Sequence, residues 1–175
     1  MATKSFEQIE KRPGKKKRGR QSGGVAAYVR NDISSKMEKD FEFSNGVIEM
    51  LGLYSRAENL YIVVVYRQPN DPTGGNKSGS VEFQSALSRL KSNLSKLPEP
   101  TPNVVICGDF NLPHCDWSAN KLLPGATREE KEMFTDLNNL CDEYFLKQYI
   151  HCPTHIAGNT LDLLFSNNQH LVHSY

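Results

Sequence analysis

The chain has 175 residues, of which 38% are hydrophobic and 23% charged, with a formal net charge of +1 at pH 7. That length allows one domain with a real core but hardly two. No apolar run approaches the roughly 20 residues of a membrane span, and the opening MATKSFEQIE lacks the apolar stretch of a secretory signal.

The charge is unevenly placed. Residues 1–20 carry eight Lys/Arg against two Glu, a net +6, and the remainder carries 13 against 18, a net −5. Residues 1–22 are therefore expected to form a disordered basic arm ahead of an acidic body over 23–175. The run KRPGKKKRGR (Lys11 to Arg20) suits phosphate backbones or a nuclear address, or it is a solvated tail.

From Gly23 to Arg30, GGVAAYVR alternates as a strand, with Val25, Ala27 and Val29 on one side. Val47 to Ser55 alternates well enough for a second. LYIVVVYRQP (Leu60 to Pro69) is the strongest strand pattern, and its β-branched run predicts burial on both faces. Asn70 to Gly79 is rich in turn residues and reads as a loop.

Ser80 opens a helix in which Phe83, Leu87, Leu90, Leu94 and Leu97 make one apolar stripe, stopped by the prolines of Pro98 to Pro102. NVVICGDF is the next strand. A second helix starts after Pro124-Gly125, where Thr127 and Glu130 fit a capping box. Its buried face is expected to comprise Met133, Phe134, Leu137, Leu140, Cys141 and Tyr144. LDLLFSN (Leu161 to Asn167) is the last strand. Strands interleaved with helices indicate an α/β architecture with helices on sheet faces.

Three stretches carry chemistry. In VVICGDFNLPHCDW, Asp109 and Asn111 follow a buried strand, and extended backbone would project both to one side while Phe110 turns to the core. A carboxylate there can accept a proton from water or bind a hard cation, and a carboxamide can steady a phosphate oxygen. Asp and Asn at a strand exit also serve as plain turn formers. In VVVYRQPN, Tyr66 is either a phosphate donor or a strand aromatic, and Arg67 can make a bidentate contact with phosphate. In PTHIAGNTLDLLFSN, Asp162 either faces solvent or is buried with a partner.

The cysteines Cys107, Cys115, Cys141 and Cys152 form no C-x-x-C pair and suit reduced thiols in an intracellular chain. The histidines near them (His114, His151, His155) have no spacing that fits a structural zinc site. Trp117 is expected to be a core aromatic.

GGVAAYVRNDI, VVVYRQPN, VICGDFNLPHCDW and PTHIAGNTLDLLFSN, in this order, resemble the endonuclease/exonuclease/phosphatase superfamily. The nearest likeness is to the apurinic-type endonuclease domain of non-LTR retrotransposons. The resemblance implies a four-layer α/β fold, a two-sheet sandwich with helices on its outer faces. It implies Mg²⁺-dependent hydrolysis of DNA phosphodiesters, with no small-molecule cofactor and no membrane partner. It implies that Asp109 orients or deprotonates the attacking water and that Asn111 holds phosphate and water. Tyr66 then stabilises the phosphate charge, and Asp162 orients the family's histidine; Arg67, by its guanidinium chemistry alone, is expected to bind substrate.

The family's metal-binding Glu and its Ser-Asp-His have no counterpart in matching context, so no metal ligand is assigned. Glu7 and Glu10 lie in the basic arm, and His170 and His173 follow no aspartate. The chain is expected to correspond to the middle of the domain, with incomplete sheets and little or no activity alone. The alternative is a non-catalytic relic or nucleic-acid-binding module that uses its basic arm.

Overall fold

The computed structural model describes residues 6–11, 16–17, 20–21, 24–69 and 79–172. Strands β1 (Phe6–Lys11) and β2 (Ala26–Arg30) are followed by β3 (Ser35–Met37), β4 (Phe43–Ser44), β5 (Ile48–Ser55) and β6 (Leu60–Arg67). Then come α1 (Ser80–Leu94), β7 (Asn103–Asp109), α2 (Arg128–Glu143), β8 (Lys147–Gln148) and β9 (Asp162–Ser166). The strong strand and helix patterns of the sequence all correspond to elements. The very short strands β3, β4 and β8 have no local pattern and exist because a neighbour's edge pairs them.

The main sheet has seven strands in the order β8-β9-β7-β6-β5-β3, with β4 also pairing β5. β6 and β7 run parallel at its centre, joined through α1, while the other pairs are antiparallel. Both helices lie on one face. Phe83, Ala86, Leu90 and Leu94 of α1 and Met133, Leu137 and Leu140 of α2 bury against Ile48, Met50, Val63, Val65, Val104, Ile106, Leu163 and Phe165. Each fully buried side chain of this size stabilises the fold by about 1.5–3 kcal/mol.

α2 begins as the sequence predicts. The Thr127 hydroxyl accepts from the Glu130 N–H at 3.1 Å and the Glu130 carboxylate accepts from the Thr127 N–H at 2.9 Å, closing a capping box. Trp117 is 6% exposed and packs against Phe134 and Phe165, as expected of a core aromatic.

The opposite face is covered differently. Val25, just before β2, and Ala27 of β2 pack on Leu51 and Leu53, with Ile62, Val64 and Tyr66 only partly buried. β2 pairs with β1 antiparallel, so a second, two-stranded sheet lies over the first. The β-branched run of β6 is thus fully buried towards the helices and half-buried towards the second sheet, not buried on both faces. Of the expected four layers, the described residues supply helices, main sheet and small sheet.

The segment read as an arm contributes backbone too: Phe6–Lys11 pairs with Ala26–Arg30. Averaging charge over 20 residues concealed FEQIEK, which carries little of the basic charge and meets the open edge of β2. Within the arm, Lys16–Lys17 also pairs antiparallel with Arg20–Gln21; the arm's other residues, most of Asn70–Gly79 and His173 lie outside the described residues.

Candidate active site

Pairing register builds the site. Glu49 of β5 pairs with Tyr66 of β6, Tyr66 pairs with Asp109 of β7, and Asp109 pairs with Asp162 of β9. These four residues form one row across four adjacent strands. Alternation sets their direction. Ile48, Val65, Gly108 and Leu163 belong to the helix-covered side of each strand, so Glu49, Tyr66, Asp109 and Asp162 all stand on the other.

Gly108 makes the row possible. Its φ is +139°, and a Cβ there would lie 1.9 Å from the carbonyl oxygen of Val65. Only glycine lets β7 approach β6 this closely while delivering Asp109 at the strand exit.

Asp109 is half-buried. Burial pushes its carboxyl above the usual range and the neighbouring Asp162 adds to this, while the hydrogen bond from Asn111 works against them. Its Oδ1 accepts from the Asn111 N–H at 3.0 Å. Asn111 has φ +49°, a left-handed conformation that Asn tolerates. The backbone is therefore not extended here, and the simple i, i+2 projection does not hold. The pair meets through a turn instead, and the Asn111 side chain donates to the Arg67 carbonyl at 2.7 Å, tying the loop to β6. These hydrogen bonds fill the turn-forming role. Phe110 turns to the core, 2% exposed, as the sequence predicts.

Tyr66 is partly buried between two carboxylates. Burial, then Asp109, then Glu49 push its phenol above the usual value, so it holds its proton firmly at neutral pH. Asp162 is exposed, and its N–H donates to the Thr154 hydroxyl at 3.0 Å. Among the described residues no histidine hydrogen-bonds to Asp162.

Arg67 corrects a sequence expectation. Read as a substrate contact, it is 0% exposed and points to the helix-covered side, where its Nη1 donates to the Asn111 carbonyl at 2.8 Å. Adjacency to Tyr66 placed it at the site in sequence, but alternation sends consecutive residues to opposite faces. It is a buried brace between β6 and the Asn111 turn, its charge near Glu130 and Asp109.

Glu49 was missed altogether. It is 6% exposed, and its Oε2 is buried with no hydrogen-bond partner. In the sequence it interrupts VIEMLGLYS, and its non-local pairing opposite Tyr66 is invisible there. His114 also gains a partner, with its Nδ1 2.9 Å from the buried Glu130 carboxylate. This pair sits at the start of α2, off the row.

Among the described residues no three His, Cys, Asp or Glu side chains converge closely enough to hold a metal ion by themselves. Mg²⁺ commonly keeps several waters and takes only one or two carboxylates beside a substrate phosphate. The unpartnered Glu49 oxygen and the half-buried Asp109 fit that sparser demand.

Compared with known proteins, residues 60–175 match the family described as endonuclease-reverse transcriptase. No curated protein matches the chain. Among solved structures, the human Nocturnin catalytic domain with bound sulfate is similar over 93% of this chain and 61% of its own, at 12% identity and TM-score 0.54. The endonuclease domain of TRAS1, a telomere-specific non-LTR retrotransposon, is similar over 85% of this chain and 61% of its own, at 17% identity and TM-score 0.48. D. rerio TDP2 complexed with a single-strand DNA product is similar over 98% and 65%, at 12% identity and TM-score 0.45. The chain thus spans less than two thirds of the length of each. The Nocturnin likeness supports the fold alone.

Proposed function

The chain belongs to the endonuclease-reverse transcriptase family, within the endonuclease/exonuclease/phosphatase superfamily, and on that premise we propose that it is a Mg²⁺-dependent DNA endonuclease domain of retrotransposon type. The observation that carries this is the row of Tyr66, Asp109 and Asp162 on one sheet face. Three of the residues singled out in sequence come from separate strands and meet there.

The reaction is hydrolysis of a phosphodiester. A bond forms from water oxygen to phosphorus as the bond to the leaving sugar oxygen breaks. Asp109, with its raised proton affinity, accepts the proton of the attacking water. Tyr66, protonated at neutral pH, donates to a non-bridging phosphate oxygen as charge builds there. Asn111 fixes the loop that presents Asp109, and the second hydrogen of its amide is available to phosphate or water. Asp162 stands where it would orient an imidazole against the phosphate. Asp109 and Glu49 are the residues that would face Mg²⁺, which when bound supplies charge neutralisation at the phosphate.

Among the described residues no imidazole hydrogen-bonds to Asp162, and groups that act as a unit lose most of their effect together, so slow turnover is expected of this chain alone. The basic run Lys11 to Arg20 adds affinity for DNA backbone and serves as a nuclear address. Among the described residues no helix is long and apolar enough to cross a membrane.

The test is nicking of supercoiled DNA with Mg²⁺, with and without added imidazole. Added imidazole should accelerate the wild type and leave Asp109→Ala and Asp162→Ala unmoved. Equal rates in the wild type and Asp109→Ala under both conditions would overturn the proposal.

A further inference from the structure

We propose that Arg67 is a positioning residue: its buried guanidinium holds the Asn111 turn in place and, through that turn, aims the Asp109 carboxylate. The catalytic consequence rests on the assignment of the row as a phosphodiesterase site, whereas the holding of the turn does not.

Three observations carry it. First, Arg67 and Asn111 clasp each other in both directions. The Arg67 Nη1 donates to the Asn111 carbonyl at 2.8 Å, and the Asn111 side-chain amide donates to the Arg67 carbonyl at 2.7 Å. Two bonds of opposite sense between the same two residues fix both the place and the rotation of the turn. Second, the clasp is continuous with the row. The Asn111 N–H donates to Asp109 Oδ1 at 3.0 Å, so the backbone that Arg67 holds is the backbone that orients the carboxylate. Asn111 has φ +49°, a conformation that persists only where its surroundings enforce it. Third, a cation is a destabilising choice for this position. Arg67 is 0% exposed on the helix-covered side of the sheet. An apolar side chain of similar length would fill that space without stripping a charge of its water. It could not donate to the Asn111 carbonyl.

The charge is kept by carboxylates on two sides. Glu130 and then Asp109 offset the effect of burial on the guanidinium. Glu130 is 2% exposed and is itself pinned, accepting from the Thr127 N–H at 2.9 Å and meeting His114 Nδ1 at 2.9 Å. The counter-charge is therefore rooted in the first turn of α2, and the guanidinium stands between that rigid element and the turn that presents Asp109. Arg67 acts on the proposed reaction through Asn111 and touches no substrate.

The experiment measures amide hydrogen exchange by NMR on the full chain, without DNA, for the wild type and Arg67→Met. Circular dichroism confirms that the variant is folded. Protection of the Asn111 N–H should fall at least about tenfold in Arg67→Met, the change implied by losing one hydrogen bond to a charged group. Amides within β7 and β9 should keep theirs. Undiminished protection at Asn111, or a fall shared by the whole sheet, overturns the proposal. If Arg67→Met does not fold, Arg67→Lys decides by the same comparison, since it keeps the cation and loses the planar fork. In nicking with Mg²⁺ and imidazole, Arg67→Met should lower kcat by about tenfold or more and leave KM within about twofold, because the guanidinium acts on the turn and not on DNA. A raised KM with kcat intact would make Arg67 a DNA contact and overturn the proposal. If the wild type never nicks DNA, the endonuclease assignment fails, and a selective loss of protection at Asn111 still upholds the clasp.

Discussion

On one face of the seven-stranded sheet, Val63, Val65, Val104 and Ile106 disappear beneath two helices, each 5% exposed or less. On the other face the same strands present Tyr66 and Asp109, flanked by Glu49 and Asp162 from their neighbours. The first face is satisfied by apolar contact. The second carries a buried carboxylate oxygen without a partner and a carboxyl whose proton affinity burial has raised. One strand set thus serves two purposes, because alternation separates them residue by residue. Stability concentrates under the helices, and the proposed chemistry lies where full packing is withheld.

Substitutions can break or sharpen this contrast. The largest effect is expected at Gly108, where the two purposes meet. Gly108→Val places side-chain atoms into the β6 backbone, and the loss should exceed about 4 kcal/mol, the range reserved for strain and severe overpacking. A chemical denaturation midpoint near that of the wild type would show that β7 can move away from β6. Under the helices, Met133→Ala removes a side chain that is 0% exposed. It should cost about 2–5 kcal/mol by the same measurement.

A smaller loss is expected at Thr127→Ala, which removes one arm of the capping box and should cost about 1 kcal/mol. On the row the sign reverses. Because burial raises the Asp109 carboxyl in the folded state, the native protein binds that proton more tightly than the unfolded chain does. Its stability contribution is therefore lost as pH rises from the ordinary carboxylate value of about 3.9 through the raised native value. Asp109→Asn removes the penalty. It should be at least as stable as the wild type at pH 7, with the advantage fading below about pH 4, as read from melting temperatures across pH. A folded but destabilised Asp109→Asn at pH 7 would mean that the row contributes stability like the helix-covered face.

The contrast also governs what the sequence disclosed. Helical stripes and β-branched runs are local signals, so α1, α2, β6 and β7 stand out in a single pass, and Thr127 with Glu130 announces the start of α2. Asp109 and Asn111 were conspicuous at a strand exit, though the left-handed Asn111 makes their meeting a turn and not a projection. Arg67 was assigned by proximity to Tyr66, and one residue of alternation sends it into the core. Glu49 lay hidden because its meaning depends on pairing with Tyr66 across a hairpin, and on Tyr66 pairing with Asp109 across a parallel crossover. Pairing of that kind leaves no trace in local periodicity.

Whether the row acts as one site is tested most directly by a double-mutant cycle on Mg²⁺-dependent nicking of supercoiled DNA in the presence of imidazole. The variants are Tyr66→Phe, Asp109→Asn, Asp162→Asn and their pairs. Residues acting together on one phosphate should be strongly non-additive, with each double variant losing little more than its weaker single variant. Losses that multiply independently, or an Asp109→Asn chain that nicks as fast as the wild type, would contradict the account.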